Sequence, residues 1–495
     1  MLGTVPTSVP QFILLGNWLL EGKFQEKWRN LRNHKLFWIL SSVFIIHLLG
    51  MSYSSDIKAA WDDVRTKIPL MYLPLIYFTS EPLKKKEWHY LLYSFIAGTA
   101  VNLSWCFIYK NILHHSEHIR DISRFMSHIR LGFLVDIAIF VCGYFISLPE
   151  YKKWRPLFFA LLLAFLYALF ALGLMSGAVN LIVVGTGFGA FYLYRRSKIF
   201  FGLYTIALVA GIAFFSLKAK QFFTDHFTLS QSSINVRQEK TLSNRPFNHY
   251  PFSKQIENGV LVTNNIQEEE LQREWNRRMP DDSINLNQKI NLQRYFTLVR
   301  FISGKQQLKD SAAVAGLSEK EIMLIRQGIP NHLFSEWSYL KKRFYELVCE
   351  LEEYRNNGNI NGHSFTMRLF YLKSAVSVIK SNPIIGVGTG DVQGAMNEEY
   401  SRSASPLDKE WYKRPHNQFV TITVALGFAG LIIFLFSLLY PIVTLRNQLS
   451  TLYYLFFCSA IISFMFEDTL ETQIGLSFFA VFNTLFVSRA WFKTK

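Results

Sequence analysis

The sequence is short of charge and of cysteine. Only 18% of its 495 residues are Asp, Glu, Lys or Arg, where a soluble domain carries roughly 25%. That shortage, with half the residues apolar, excludes a disordered chain and a charge-rich coiled coil. The four cysteines are Cys106, Cys142, Cys349 and Cys458. Three of them sit in apolar runs, which excludes a disulfide-stapled scaffold. No signal peptide with a cleavage site is visible. A Walker loop, a dinucleotide fingerprint and a serine-based triad are likewise missing, and no His–carboxylate spacing supports a metal site. What the chain has in abundance is apolar surface, including 45 Phe. Lys and Arg outnumber Asp and Glu by 52 to 36, a net +16. In so apolar a chain that excess points to membrane lipid and not to nucleic acid. The expected fold class is all-α, a polytopic membrane helix bundle.

Apolar runs lie near 9–20, 36–53, 68–80, 89–109, 131–147, 156–175, 178–194, 199–217, 419–441, 451–466 and 474–492. A span needs about 20 apolar residues. Runs 9–20 and 68–80 are short and carry Pro10, Pro69 and Pro74, so they read as kinked spans or re-entrant segments. Eleven spans are expected. Loop charge sets their orientation. Eighteen Lys/Arg fall in one set of loops, among them Lys84, Lys85, Lys152, Arg195, Arg196 and Arg446, against seven in the other set. The richer set and the C-terminus are therefore expected in the cytoplasm, with Met1 outside. An outside start without a signal leads us to expect one more helix upstream, twelve in all. Residues 218–367 break the pattern: their 20 Lys/Arg and 17 Asp/Glu nearly cancel, and they read as a helical insert on the outer face. Within the insert, Ser318 and Glu321 form a capping-box pattern, 331–356 has apolar residues at helical spacing, and 241–265 reads as loop. The expected division is an N-terminal bundle 1–217, an outer region 218–418 containing an amphipathic helix 366–381, and a C-terminal bundle 419–495.

Four polar constellations gather on that outer face. The first is Arg414-Pro415-His416-Asn417. Proline suits a first helical turn, which would place His416 and Asn417 within it. There the helix dipole keeps His416 neutral and able to accept a proton; a plain polar cap at the membrane surface is the alternative. The second is Ser127-His128-Ile129-Arg130, leading into a span with Asp136. Arg130 suits a diphosphate and equally a lipid headgroup. The third runs from Asn361-Gly362-His363 through Arg368 and Lys373 to Gly386-Val387-Gly388-Thr389-Gly390-Asp391. Its glycines are best read as a turn beside the membrane. The fourth is Glu467-Asp468-Thr469-Leu470-Glu471, whose acids would orient Arg or His or bind sugar hydroxyls.

The blocks RLFYLKSAVSVIKSNPIIGVGTGD, RPHNQFVTITVALGFAGLIIFL and FEDTLETQIGLSFFAVFNTLF resemble those of the O-antigen ligase and polymerase superfamily of bacterial surface-polysaccharide assembly. FMSHIRLGFLVDIAIF and GMSYSSDIKAAWDDVRTKIPLMYLP extend the resemblance to roughly two thirds of the chain. The interior of 218–330 lies outside it. The resemblance implies a GT-C-like, inverting glycosyltransferase of the bacterial inner membrane, working on the periplasmic face without metal, nucleotide sugar or other cofactor. The implied donor is an undecaprenyl-diphosphate-linked glycan. The acceptor would be lipid A–core for a ligase or a second lipid-linked glycan for a polymerase. By resemblance, His416 is the general base, and Arg368 and Arg130 hold the diphosphate. Arg414, Asn417, His363, Lys373, Glu467 and Asp468 are further candidate substrate-binding residues. Many members carry a Ser-Arg pair where this chain has Met175-Ser176-Gly177-Ala178, so either Arg130 stands in for that arginine or the donor is held differently. A transporter of lipid-linked glycans is the competing class. Eight spans before the insert and three after it, without an internal repeat, speak against it. A receptor or scaffold using the insert as a binding module would leave the His416 and Gly386–Asp391 blocks unused.

Overall fold

The computed structural model describes residues 4–113, 122–123, 125–250, 254–286, 289–357 and 360–494. Of the loop charges counted above, Arg120, Arg124 and Lys495 lie outside them. Every apolar run forms a helix. Among the described residues seven helices are long and apolar enough to cross a membrane, from Lys85–Ile112 to Gln473–Phe492. Phe24–Arg32 and Lys35–Met51, bent by 89°, add an eighth if they act as one span. Pro69–Thr79 has 11 residues and Thr451–Phe466 has 16. At about 1.5 Å per residue neither reaches across a hydrocarbon core of about 30 Å. By internal contacts the chain divides into two units, Met1–Arg196 with Met367–Lys495, and Ser197–Thr366.

The first unit is a helical bundle cored by aromatic and aliphatic side chains. Phe456, Phe482 and Phe486 pack on one another with ring centroids about 6 Å apart, an arrangement aromatic pairs favour. His128–Ser147 lies deep in the bundle. It crosses Met175–Arg196 where Gly132 faces Gly177: a Cβ on Gly177 would meet the Cα of Gly132 at 2.8 Å. Small residues at such a crossing let helix backbones touch. The same crossing buries Asp136, whose carboxylate accepts from Asn180 Nδ2 at 2.7 Å, and that amide also donates to Ser459 at 3.0 Å.

The helix Gln418–Thr444 is interrupted at Gly427, at φ +64° and ψ −169°. In an unbroken helix the N–H groups of Phe428 and Ala429 would bond to the carbonyls of Val424 and Ala425. Instead they donate to Pro383 and Ile384, at 2.8 and 3.2 Å, while Val387 and Gly388 donate to Val424 and Ala425, both at 2.9 Å. The Gly-rich segment is thus spliced into the helix, and these four backbone groups are satisfied, as membrane burial demands. The fit needs glycine: a Cβ at Gly386 would lie 2.4 Å from Ala425 O, and one at Gly427 would lie 2.2 Å from Ile384 O. Gly427→Ala is expected to cost about 1–3 kcal/mol from its backbone conformation alone. A melting temperature equal to that of the native protein in detergent would contradict this.

The second unit opens with Lys198–Phe227, whose apolar window has no buried residue, and continues into a polar lobe. Leu271, Trp275, Leu298, Phe301, Ile302 and Ile322 form the lobe's core. The Ser318–Glu321 box forms as expected, with both reciprocal hydrogen bonds present. Within 331–356 the continuous helix begins only at Tyr339, after a single 3₁₀ turn over His332–Ser335. The stretch 241–265, expected as loop, contains a short hairpin pairing Ile256–Glu257 with Val260–Leu261. Its turn is Asn258-Gly259, with both φ positive, a dipeptide signal for a two-residue hairpin that outweighs the polar composition. Residues 251–253 lie outside the described ones.

Candidate active site

Three segments of the first unit meet around the acidic turn 467–471. One of them depends on the Gly-rich segment. Asp391 accepts from the N–H groups of Ser55 and Asp56, at 2.7 and 2.8 Å. Asp56 then caps the helix Ile57–Lys67 by accepting from Ala59 N at 2.8 Å, as N-cap carboxylates do. That helix carries Asp63 and Lys67 inward, four residues apart on one face.

The second segment is the start of Gln418–Thr444. Its first-turn cap is Asn417, which accepts from Val420 N at 3.1 Å and donates to Met465 O at 3.0 Å. His416 therefore stands just before the helix, at φ +53°, and not within its first turn as the proline-based reading expects. Asparagine is the stronger capping signal. The third segment is the helix Ser364–Ser381, which presents Arg368 and Tyr371.

Glu467 joins these parts. Its Oε1 accepts from Arg368 Nη2 at 2.9 Å, and its Oε2 lies 4.0 Å from His416 Nδ1. Asp468 fixes the histidine's backbone by accepting from His416 N at 3.1 Å, and it accepts from Thr421 Oγ1 at 2.7 Å. The Tyr371 ring lies 5.8 Å from the imidazole, and its hydroxyl donates to Trp411 O at 2.7 Å. Burial holds the His416 pKa below its usual 6.5. Glu467 opposes this, while Arg368, Lys413 and Arg130 reinforce it. The imidazole is therefore neutral at pH 7. Burial also pushes Asp468 up to about 6.

Arg130, at the start of His128–Ser147, interacts electrostatically with Glu467 and Asp468. It forms no side-chain hydrogen bond or ion pair among the described residues, and its Nε is buried without a partner. Gly177, where the resemblance would put an arginine, has no room for a side chain beside Gly132.

A second, deeper cluster lies behind Glu471. Lys67, fully buried, donates to both oxygens of Asp63, at 2.8 and 2.7 Å, and to Glu471 Oε2 at 2.9 Å. Arg414 donates to the same Oε2 at 2.9 Å and comes within 3.8 Å of Asp63. Gln418 donates to Glu471 Oε1 at 3.0 Å and accepts from Leu470 N at 2.7 Å. Burial and the neighbouring Glu471 raise Asp63 to about 7. Glu471 is held well below the usual range because Lys67, Asp63 and Arg414 outweigh its own burial. Burial alone would lower Lys67, but the two carboxylates raise it. Lys67, by sequence only a loop charge, and Asp63 are site components that the sequence reading missed; their i,i+4 spacing was the available signal.

Of the remaining candidates, His363 belongs to the second unit, where it pairs with Glu353 at 3.1 Å. Lys373 is exposed and stands 5.6 Å over the Phe370 ring. Among the described residues no group of three or more His, Cys, Asp or Glu is placed to hold a metal ion.

The family model described as O-antigen ligase matches residues 314–435, a stretch holding Arg368, Arg414 and His416, and supports membership of the O-antigen ligase superfamily. No curated protein matches the chain.

Proposed function

We propose that this member of the O-antigen ligase superfamily transfers a glycan from an undecaprenyl-diphosphate carrier to lipid A–core. The transfer takes place on the periplasmic face of the bacterial inner membrane and inverts the anomeric centre. One observation carries this reading: a neutral histidine and an arginine share the carboxylate of Glu467, and Arg130, without an ion-pair partner among the described residues, interacts electrostatically with the same turn. Sugar transfer from a diphosphate needs a base for the acceptor hydroxyl and cations for the charge that leaves. In this scheme the acceptor oxygen attacks the anomeric carbon and its proton passes to His416 Nε2. The bond from that carbon to the diphosphate oxygen breaks with its electron pair, and Arg130 and Arg368 hold the departing anion. Glu467, beside Nδ1, stabilises the imidazolium that forms. Arg414, held by Glu471 in the deeper cluster, positions the base. The loop charges, eighteen against seven, support a periplasmic site.

The reading is tested with purified protein, donor lipid and lipid A–core, without an energy source. Transfer to the core supports a ligase. Chain lengthening without acceptor would indicate the polymerase of the same superfamily, and no product at all would refute the proposal. The pH dependence follows from His416. Its pKa lies below 6.5, so the rate is expected to be level at neutral pH and to fall as pH drops through that value and the base protonates. Glu467→Gln removes the group that raises this pKa. It should move the acid limb to lower pH and reduce the plateau, and an unmoved limb would remove Glu467 from the mechanism.

A further inference from the structure

One large groove of the first unit takes no part in this chemistry. It encloses about 1190 Å³ between the helices Met175–Arg196 and Thr451–Phe466. Val183, Gly187 and Phe191 line one wall, and Leu455, Cys458 and Ile462 the other. Arg195, Arg196 and Arg446 stand together at one end, all exposed. None of the three pairs with a carboxylate among the described residues. Arg195 lies 4.6 Å over the Phe191 ring, and the Tyr454 hydroxyl ties down the Arg446 carbonyl at 3.2 Å.

We propose that this groove holds an anionic glycerophospholipid, its phosphate on the three arginines and an acyl chain along the apolar walls. Length supports one leaflet's worth of chain. Val183 to Arg195 rises about 18 Å and Thr451 to Ile462 about 16 Å, against about 15 Å for half a hydrocarbon core of about 30 Å. Away from the arginine end the lining is apolar, with Val183, Val184, Leu455, Ile461 and Ile462, which suits an acyl chain and offers water no polar partners. Guanidinium groups fork onto phosphate oxygens, and three without counter-charges select a net negative headgroup over a zwitterionic one. A polyprenyl carrier, much longer than one leaflet, would overrun the groove.

The test uses the full chain in nanodiscs of equimolar phosphatidylglycerol and phosphatidylethanolamine, with retained lipid counted by native mass spectrometry. Phosphatidylglycerol should be retained roughly tenfold or more over phosphatidylethanolamine, since each basic residue near the surface favours an anionic lipid several-fold. Arg195→Gln with Arg196→Gln and Arg446→Gln should bring the two lipids to parity. Gly187→Phe, at a position with nothing within 4 Å of an added Cβ, should obstruct the acyl path along that wall and release both lipids with the charges intact. Equal retention by the native protein, preference surviving the triple substitution, unchanged retention by the Gly187 variant, or displacement by a polyprenyl phosphate would each overturn the proposal.

Discussion

Replacing His416 with alanine is expected to lower glycan transfer by about 10²–10⁴, the range a positioned general base contributes. The protein should still fold and insert. The contacts that fix this segment are the backbone bond from His416 N to Asp468, the Asn417 cap and the Arg368–Glu467 pair. Only the first involves residue 416, and it uses the main chain. The positive φ at this position makes alanine mildly strained, so His416→Asn, which tolerates that conformation, is the better-controlled variant. Both should abolish capping of lipopolysaccharide in cells while leaving the amount of membrane protein unchanged. A normal capped ladder on a gel from either variant would refute the assignment of His416.

Lys67→Met is expected to be the most destabilising single substitution in the site. Lys67 is fully buried and donates to two carboxylates. Removing one partner of a buried ion pair while leaving the other costs about 3–5 kcal/mol. Adding Asp63→Leu should recover much of that loss, because Glu471 would keep Arg414 and Gln418 as partners. The check is thermal unfolding of the detergent-solubilised variants. An unchanged midpoint for Lys67→Met, or no recovery in the double variant, would show that the cluster does not hold this region together.

The helices were legible because bilayer burial demands long apolar runs, and each run is a helix. The site was legible in part. Glu467 and Asp468 stood out because acids are scarce beside membrane segments, His416 and Arg368 through the helix-start pattern and the family resemblance, and these four do converge on one turn. The partnership of Lys67 with Glu471 was not legible, since the two are joined across 404 positions and no local pattern encodes a long-range pair. Proline at 415 suggested the wrong first turn, because capping chemistry at Asn417 outranks it. The glycines at 386–390 read correctly as a turn, but nothing in their spacing disclosed that Gly386 packs on Ala425, beside the break at Gly427 within a span.

That arrangement bears on how the protein meets a changing bilayer. A helix broken at glycine would ordinarily flex, and its outer half would lean with every variation in membrane thickness. Here four hydrogen bonds exchanged with a second chain segment, two donated by each, clamp both sides of the break, so the bend is fixed in angle. The half that carries Asn417 and steadies His416 takes its orientation from the loop, and the loop is anchored in turn to Gly50 and Ser54. With the angle fixed, a change of tilt carries both halves of the helix and the loop together, and the histidine keeps its aim relative to that loop.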